Sequence, residues 1–187
     1  MIDSHFHIWT QDESTPERRA DRATQIRETC VPRGIERICL IGRTGTDPAS
    51  SRENNQLVAK YVEEHPDLFY GWARVDPNWE DDAAAEFRRA VTEDDLIGLK
   101  LYADTKLDDP LVDPLAEVAV DLDVPIISHI ASRTETSDRK PLESTDENVR
   151  GLAERFPDLK LISGHIGGGG QWERRIRNIA PLDNVYL

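Results

Sequence analysis

Short apolar runs rich in Ile, Val and Leu alternate along the whole chain with longer charged stretches whose apolar residues recur at helical spacing. The runs predict strands at Met1–Ile8, Arg37–Ile41, Phe69–Val75, Ile97–Tyr102, Pro125–Ile130, Leu159–Ser163 and Asn184–Leu187. The periodic stretches predict helices at Glu17–Thr29, Asp81–Thr92, Leu115–Asp121, Asp146–Phe156 and Trp172–Ile179. A further helix is expected at Arg52–Glu64, behind a Ser50-Ser51 cap and ending at His65-Pro66. Pro66, Pro125 and Pro157 stand shortly before strands, where proline closes a helix or opens an extended segment. Strands this uniformly apolar suit a parallel sheet covered on both faces.

Each strand with its helix takes roughly 25–35 residues, the size of a βα repeat joined by right-handed crossovers. Two α/β architectures fit: an open doubly wound sheet and a TIM (β/α)8-type barrel. No Gly-x-Gly-x-x-Gly follows the first strand, which counts against a dinucleotide-binding sheet. Seven strands can be counted, and the last runs out at Leu187. A barrel needs eight, so residues 1–187 are expected to be a single barrel domain with about seven of eight strands, incomplete at its C-terminal end. The one long polar loop, Ala131–Ser144, follows the fifth strand.

Composition narrows the function classes. The 38% hydrophobic content supports a core, and no run approaches the ~20 apolar residues of a membrane span. The N-terminus carries a motif where a leader would be, so a cytoplasmic protein is expected. Cys30 and Cys39 have no metal-type spacing and read as reduced thiols. The net charge is −13, from 36 acidic against 23 basic residues, which repels nucleic acid and anionic membrane. The acid-rich, lysine-poor balance resembles proteins of salt-accumulating microbes, an ordinary acidic bacterial enzyme being the alternative.

The chemistry begins at Asp3-Ser4-His5-Phe6-His7. Strand periodicity puts Asp3, His5 and His7 on one face, and paired imidazoles make half of a first-row metal site. A solvated edge or a tag remnant is the plainer reading. It loses ground because four of the five histidines fall at predicted strand ends: His5 and His7 on the first, His129 on the fifth and His165 on the sixth. Active sites of βα barrels are built at that end of the strands. His65, in a helix-ending Glu-Glu-His-Pro, reads as a surface residue.

These elements together resemble the amidohydrolase superfamily, and within it the amidohydrolase-related (amidohydrolase 2) branch, which also holds decarboxylases and hydratases. The resemblance rests on Asp3-Ser4-His5-Phe6-His7, Arg74-Val75-Asp76-Pro77, Gly98-Leu99-Lys100-Leu101-Tyr102, Ser128-His129 and Gly164-His165-Ile166-Gly167-Gly168. It implies a barrel enzyme with a divalent metal ion, zinc first among them, held by His5, His7 and His129. His165 would be a further ligand or the catalytic base. The family's eighth-strand aspartate has no counterpart in this sequence, so weak metal binding and little turnover are expected of these residues alone.

Lys100 occupies the strand where binuclear relatives carry a carbamylated bridging lysine; contact with an anionic substrate group, or a structural role, is the favoured reading. Arg74 either clamps a substrate carboxylate or pairs with Asp76 to fix the loop before Pro77. Tyr102 either lines the substrate pocket or packs in the core. Gly167–Gly170 would bring a loop close to the metal centre, with an anion seat on its N–H groups as the alternative. The expected function is a metal-dependent hydrolase of a small amide, lactone or ester. A metal-dependent decarboxylase of an aromatic or unsaturated acid is the alternative, and a catalytically inactive barrel is the non-enzymatic one. A TatD-like nuclease is disfavoured, because Lys100 stands where that family carries glutamate. The partner expected is a small-molecule substrate, with no nucleic acid, no membrane, and a homodimer left open.

Overall fold

In a computed structural model of the chain, residues 1–8, 15–130, 141–165 and 172–187 are described. Among them seven strands alternate with six α-helices. The order is β1 (Ile2–His7), α1 (Pro16–Cys30), β2 (Arg37–Ile41), α2 (Pro48–Glu64), β3 (Phe69–Arg74), α3 (Asp81–Thr92) and β4 (Leu99–Leu101). It continues with α4 (Asp113–Asp121), β5 (Ile126–Ser128), α5 (Asp146–Arg155), β6 (Leu161–Ser163), α6 (Trp172–Ile179) and β7 (Val185–Tyr186). Every predicted element is present, although β4 to β7 are shorter than their apolar runs. Parts of two sequence features, the Ala131–Ser144 loop and the Gly167–Gly170 run, lie outside the described residues: 131–140 of the first and all of the second.

The chain divides into two compact units, one of residues 1–75 and 89–97, the other of residues 76–88 and 98–187. In the first, β1 pairs with β2 and β2 with β3, all parallel. Ile38, Leu40 and Ile41 of β2 are completely buried, as a strand covered on both faces requires. Helix α2 begins earlier than its apolar period. Asp47 accepts from the Ser50 N–H at 3.0 Å, and Ser50 Oγ in turn accepts from the Asp47 N–H at 3.2 Å, a capping box. Ser50 is therefore the third helical residue and not the cap, and Pro48 takes the first position, where its missing N–H costs nothing.

Polar groups of α2 also hold the end of β3. Ser51 Oγ donates to the Arg74 carbonyl at 2.6 Å, and Asn55 Oδ1 accepts from the Arg74 N–H at 2.9 Å. Both side chains are fully buried, so these bonds replace lost water. Against the same helix, Gly71 has no room for a side chain: a Cβ there would stand 2.6 Å from Val58 Cγ1 and 2.7 Å from Leu96 Cδ2. Buried Arg19 of α1 binds Glu64 of α2 through two bonds, at 2.8 and 2.5 Å. His65 follows α2 and is half-buried, its ring standing edge-on to Phe69 with centroids 6.0 Å apart.

In the second unit β4, β5, β6 and β7 pair in that order, again parallel. Leu99, Ile126, Ile127 and Leu161 are buried from the strands, and Leu115, Ala116, Val149 and Leu152 from α4 and α5. A second capping box, Thr145 with Asn148, starts α5. Immediately before it, buried Ser144 accepts the Leu107 N–H at 2.9 Å and bridges to Ile130, tying the start of α5 to the end of β5. Both cysteines are free and buried, and burial followed by the Asp3 charge pushes the Cys39 thiol up to about 11. No described helix is long and apolar enough to cross a membrane.

Candidate functional site

The histidine pair of β1 owes its geometry to a bulge. Asp3 is in register with Ile38, but Phe6 is in register with Leu40 and His7 with Ile41, so β1 carries one extra residue between Asp3 and Phe6. Asp3 and His7 consequently stand opposite β2 positions three rows apart, an odd number, and face opposite sides of the sheet. Strict alternation across Asp3, His5 and His7 is therefore broken. The Asp3 carboxylate instead turns back to accept the His5 N–H at 3.0 Å. The Ser4 carbonyl, within the bulge, accepts from the buried Trp72 indole at 3.0 Å. Strand β3 thus pins the irregularity that aims His5.

His5 and His7 remain together. Their Nε2 atoms are 3.1 Å apart and their ring centroids 5.1 Å. Two imidazoles on one first-row ion, each at ~2.0–2.1 Å, place their nitrogens roughly 3 Å apart. The pair fits that spacing, which is also a hydrogen bond between neutral rings. At the end of β3, Arg74 donates to the Gly42 carbonyl at 3.2 Å, bracing the loop after β2.

The second unit gathers the other predicted residues. Lys100 is fully buried, and Tyr102 follows it by two positions, on the same strand face. Lys100 is in register with Ile127, two residues before His129, so His129 shares that face. The rings of Tyr102 and His129 are 4.6 Å apart. His165 comes one residue past the position level with His129 and by alternation would face away. Its backbone is left-handed (φ 60°), and this turn brings its ring edge-on to His129 at 4.6 Å. Burial first, then the charges of His129 and Lys100, hold the His165 imidazole below its ordinary range, with Glu143 opposing. His165 is thus a neutral imidazole able to accept a proton at neutral pH.

Glu143 is the residue that sequence reasoning missed. The His129 Nε2–H donates to its carboxylate at 2.9 Å, and the two side chains are 11% and 9% exposed. It lies 14 residues beyond His129 in a polar loop, and no spacing rule connects them. The only signal was its place just before the Thr145 capping box. Asp76 accepts from the Asn78 N–H at 2.9 Å and from the Asn78 side chain, so its observed partners belong to its own loop. Among the described residues, no three His, Cys, Asp or Glu side chains are grouped to hold a metal ion; the first unit presents a histidine pair and the second a histidine–carboxylate cluster.

A family model described as amidohydrolase matches residues 2–187. A Staphylococcus aureus structure assigned as an amidohydrolase superposes with a TM-score of 0.71 at 18% identity, covering 98% of this chain and 73% of that one. The 4-oxalomesaconate hydratase of Rhodopseudomonas palustris superposes at 0.66 with 19% identity, covering 94% of this chain and 58% of that one. A dihydroxybenzoic acid decarboxylase from a Polaromonas species, solved with bound manganese and the inhibitor 2-nitroresorcinol, superposes at 0.64 with 21% identity. It covers 95% of this chain and 69% of that one. These likenesses show the fold: a TIM (β/α)8-type barrel, of which this chain has seven strands among its described residues. A search of curated proteins finds no match.

Proposed function

Because this chain belongs to the amidohydrolase family, we propose that it acts as a metal-dependent hydrolase of small amide, lactone or ester substrates in the cytoplasm. The observation that carries the proposal is the His5–His7 pair, whose Nε2 atoms stand 3.1 Å apart at the end of β1. His5 and His7 are the residues to hold a divalent ion, and the sequence resemblance adds His129 as a further donor. The all-imidazole set suits zinc, and manganese is the competing choice because the Polaromonas relative carries it. A bound divalent ion supplies Lewis acidity and lowers the pKa of water to about 7. His165, kept neutral by burial and the neighbouring charges, would be able to accept a proton at its imidazole nitrogen. Lys100 offers a buried cation on the face shared by Tyr102 and His129, suited to an anionic substrate group. Arg74, at the end of β3, is proposed as a second anion contact and Tyr102 as a wall against the substrate.

Decarboxylation is the second reading. The fully buried Lys100 cation on the His129 face favours a carboxylate-bearing substrate, and the Polaromonas relative is a decarboxylase. The two readings separate in one experiment. The chain is loaded with Zn2+ or Mn2+ and given esters, lactones and amides in one set, hydroxybenzoic acids in another. Hydrolysis of the first set supports the leading reading, and carbon dioxide release from the second replaces it. Metal uptake with neither activity supports an inactive barrel for residues 1–187.

A further inference from the structure

We infer that Glu143 is a positioning residue for His129, its carboxylate taking the Nε2–H so that Nδ1 is left as the donor atom of the ring. The assignment of Nδ1 to a metal rests on the reading proposed above; the Glu143–His129 pair itself does not.

A carboxylate has no proton to give, so the hydrogen in this contact is on Nε2, and in the neutral ring the lone pair is then on Nδ1. Both groups are about nine-tenths buried, so the bond is shielded from competing water. Glu143 is also held in place from both sides along the chain. Its successor Ser144 is buried, accepts the Leu107 N–H at 2.9 Å and bridges to Ile130, the residue after His129. Thr145, next in line, caps α5 through its box with Asn148. A carboxylate anchored this way is presented to His129 by framework, not by a swinging side chain. The ring is also flanked by Tyr102 and His165, each with its centroid 4.6 Å away, which leaves it little freedom to rotate.

Imidazole ligands of metals commonly donate their second N–H to such a carboxylate, and removal of that partner typically costs 10–100-fold in affinity. A merely structural glutamate has no reason to act on His129 in particular.

The test uses the full chain with 15N-labelled histidine, and H129Q to assign the His129 signals. In the metal-free wild type, the Nε2–H proton of His129 is expected far downfield and slow to exchange with water. E143A should abolish that signal, and E143Q, which keeps an acceptor without the charge, should retain it with a smaller downfield shift. Titration with Zn2+ and Mn2+ should show roughly 10–100-fold weaker binding in E143A, with E143Q between it and wild type. An unchanged His129 signal in E143A overturns the inference, as does wild-type metal affinity in that variant. A wild-type chain that takes up neither ion overturns the proposed function and the role of Nδ1, while the proton signal still decides the Glu143–His129 pair.

Discussion

The imidazoles of His129 and His165 meet edge to face at 4.6 Å, although strand register sends their backbones to opposite faces of the sheet. The left-handed turn at His165 makes the difference. Such a conformation costs a residue with a Cβ roughly 1–2 kcal/mol and persists where its surroundings impose it. Asparagine tolerates the same backbone, so His165→Asn separates fold from chemistry. The variant is expected to keep its melting temperature within a few degrees and to lose about 10²–10⁴-fold in turnover. Turnover at the wild-type rate would remove His165 from the proton-transfer role.

Replacement of either β1 histidine should act on metal and not on folding. Both rings lie at a strand end, part-buried or exposed, and hold no core. His5→Ala and His7→Ala are each expected to lower metal content by more than ~100-fold, exceeding the effect of losing a supporting carboxylate. Metal analysis after dialysis, alongside circular dichroism, reads the two effects separately. Retained metal in both variants would move the centre elsewhere.

The bulge that aims His5 makes a prediction of its own. Trp72→Phe keeps most of the buried volume but leaves the Ser4 carbonyl without its indole donor. A loss of about 1 kcal/mol is expected, together with weaker metal binding than the stability change explains. Calorimetric titration of the variant with Zn2+ checks this, and unaltered affinity would confine Trp72 to packing.

The Arg19–Glu64 pair sets an acid limit on stability. The Arg19 hydrogen bonds hold the Glu64 carboxyl below its ordinary 4.5, against the opposing effect of burial. A depressed carboxyl contributes stability that is complete above its unfolded value and is lost as pH falls through its folded one. The advantage of wild type over Glu64→Gln, about 1–2 kcal/mol at neutral pH because Arg19 is buried while Glu64 is partly in solvent, should therefore shrink below about pH 4.5. Urea melts of both proteins between pH 3 and 7 measure it; a difference independent of pH would assign the effect to packing.

Gly71 is a steric requirement. Gly71→Ala should cost about 1–3 kcal/mol by overpacking against Val58 and Leu96. Val58→Ala added to it should recover part of that loss, since the two changes share one space. Additive losses in thermal melts would mean that the neighbours yield freely.

Much of the architecture was legible in local pattern. Strand β2 and helices α3 and α6 have the bounds that periodicity predicts, because each apolar face is bounded by turn or charged residues. The start of α2 was misread because Asp47 and Ser50 both carry capping signals, and only the reciprocal bonds show which residue leads. The histidines were recognisable as a set from their strand-end positions. Neither the bulge after Asp3 nor the turn at His165 carries a mark in the sequence: the first belongs to the pairing of β1 with β2, the second to the backbone just past β6.

The sequence by itself determined the βα order, the family and the four histidines, since these depend on residue type and on spacing along the chain. Only the tertiary structure decided the orientation of the rings and the company they keep. The bulge separates Asp3 from His7, the left-handed backbone returns His165 to His129, and the Ser144 bridge delivers Glu143 to His129. Each of these is a contact between segments distant in the chain, and its energy exists only once the strands have paired.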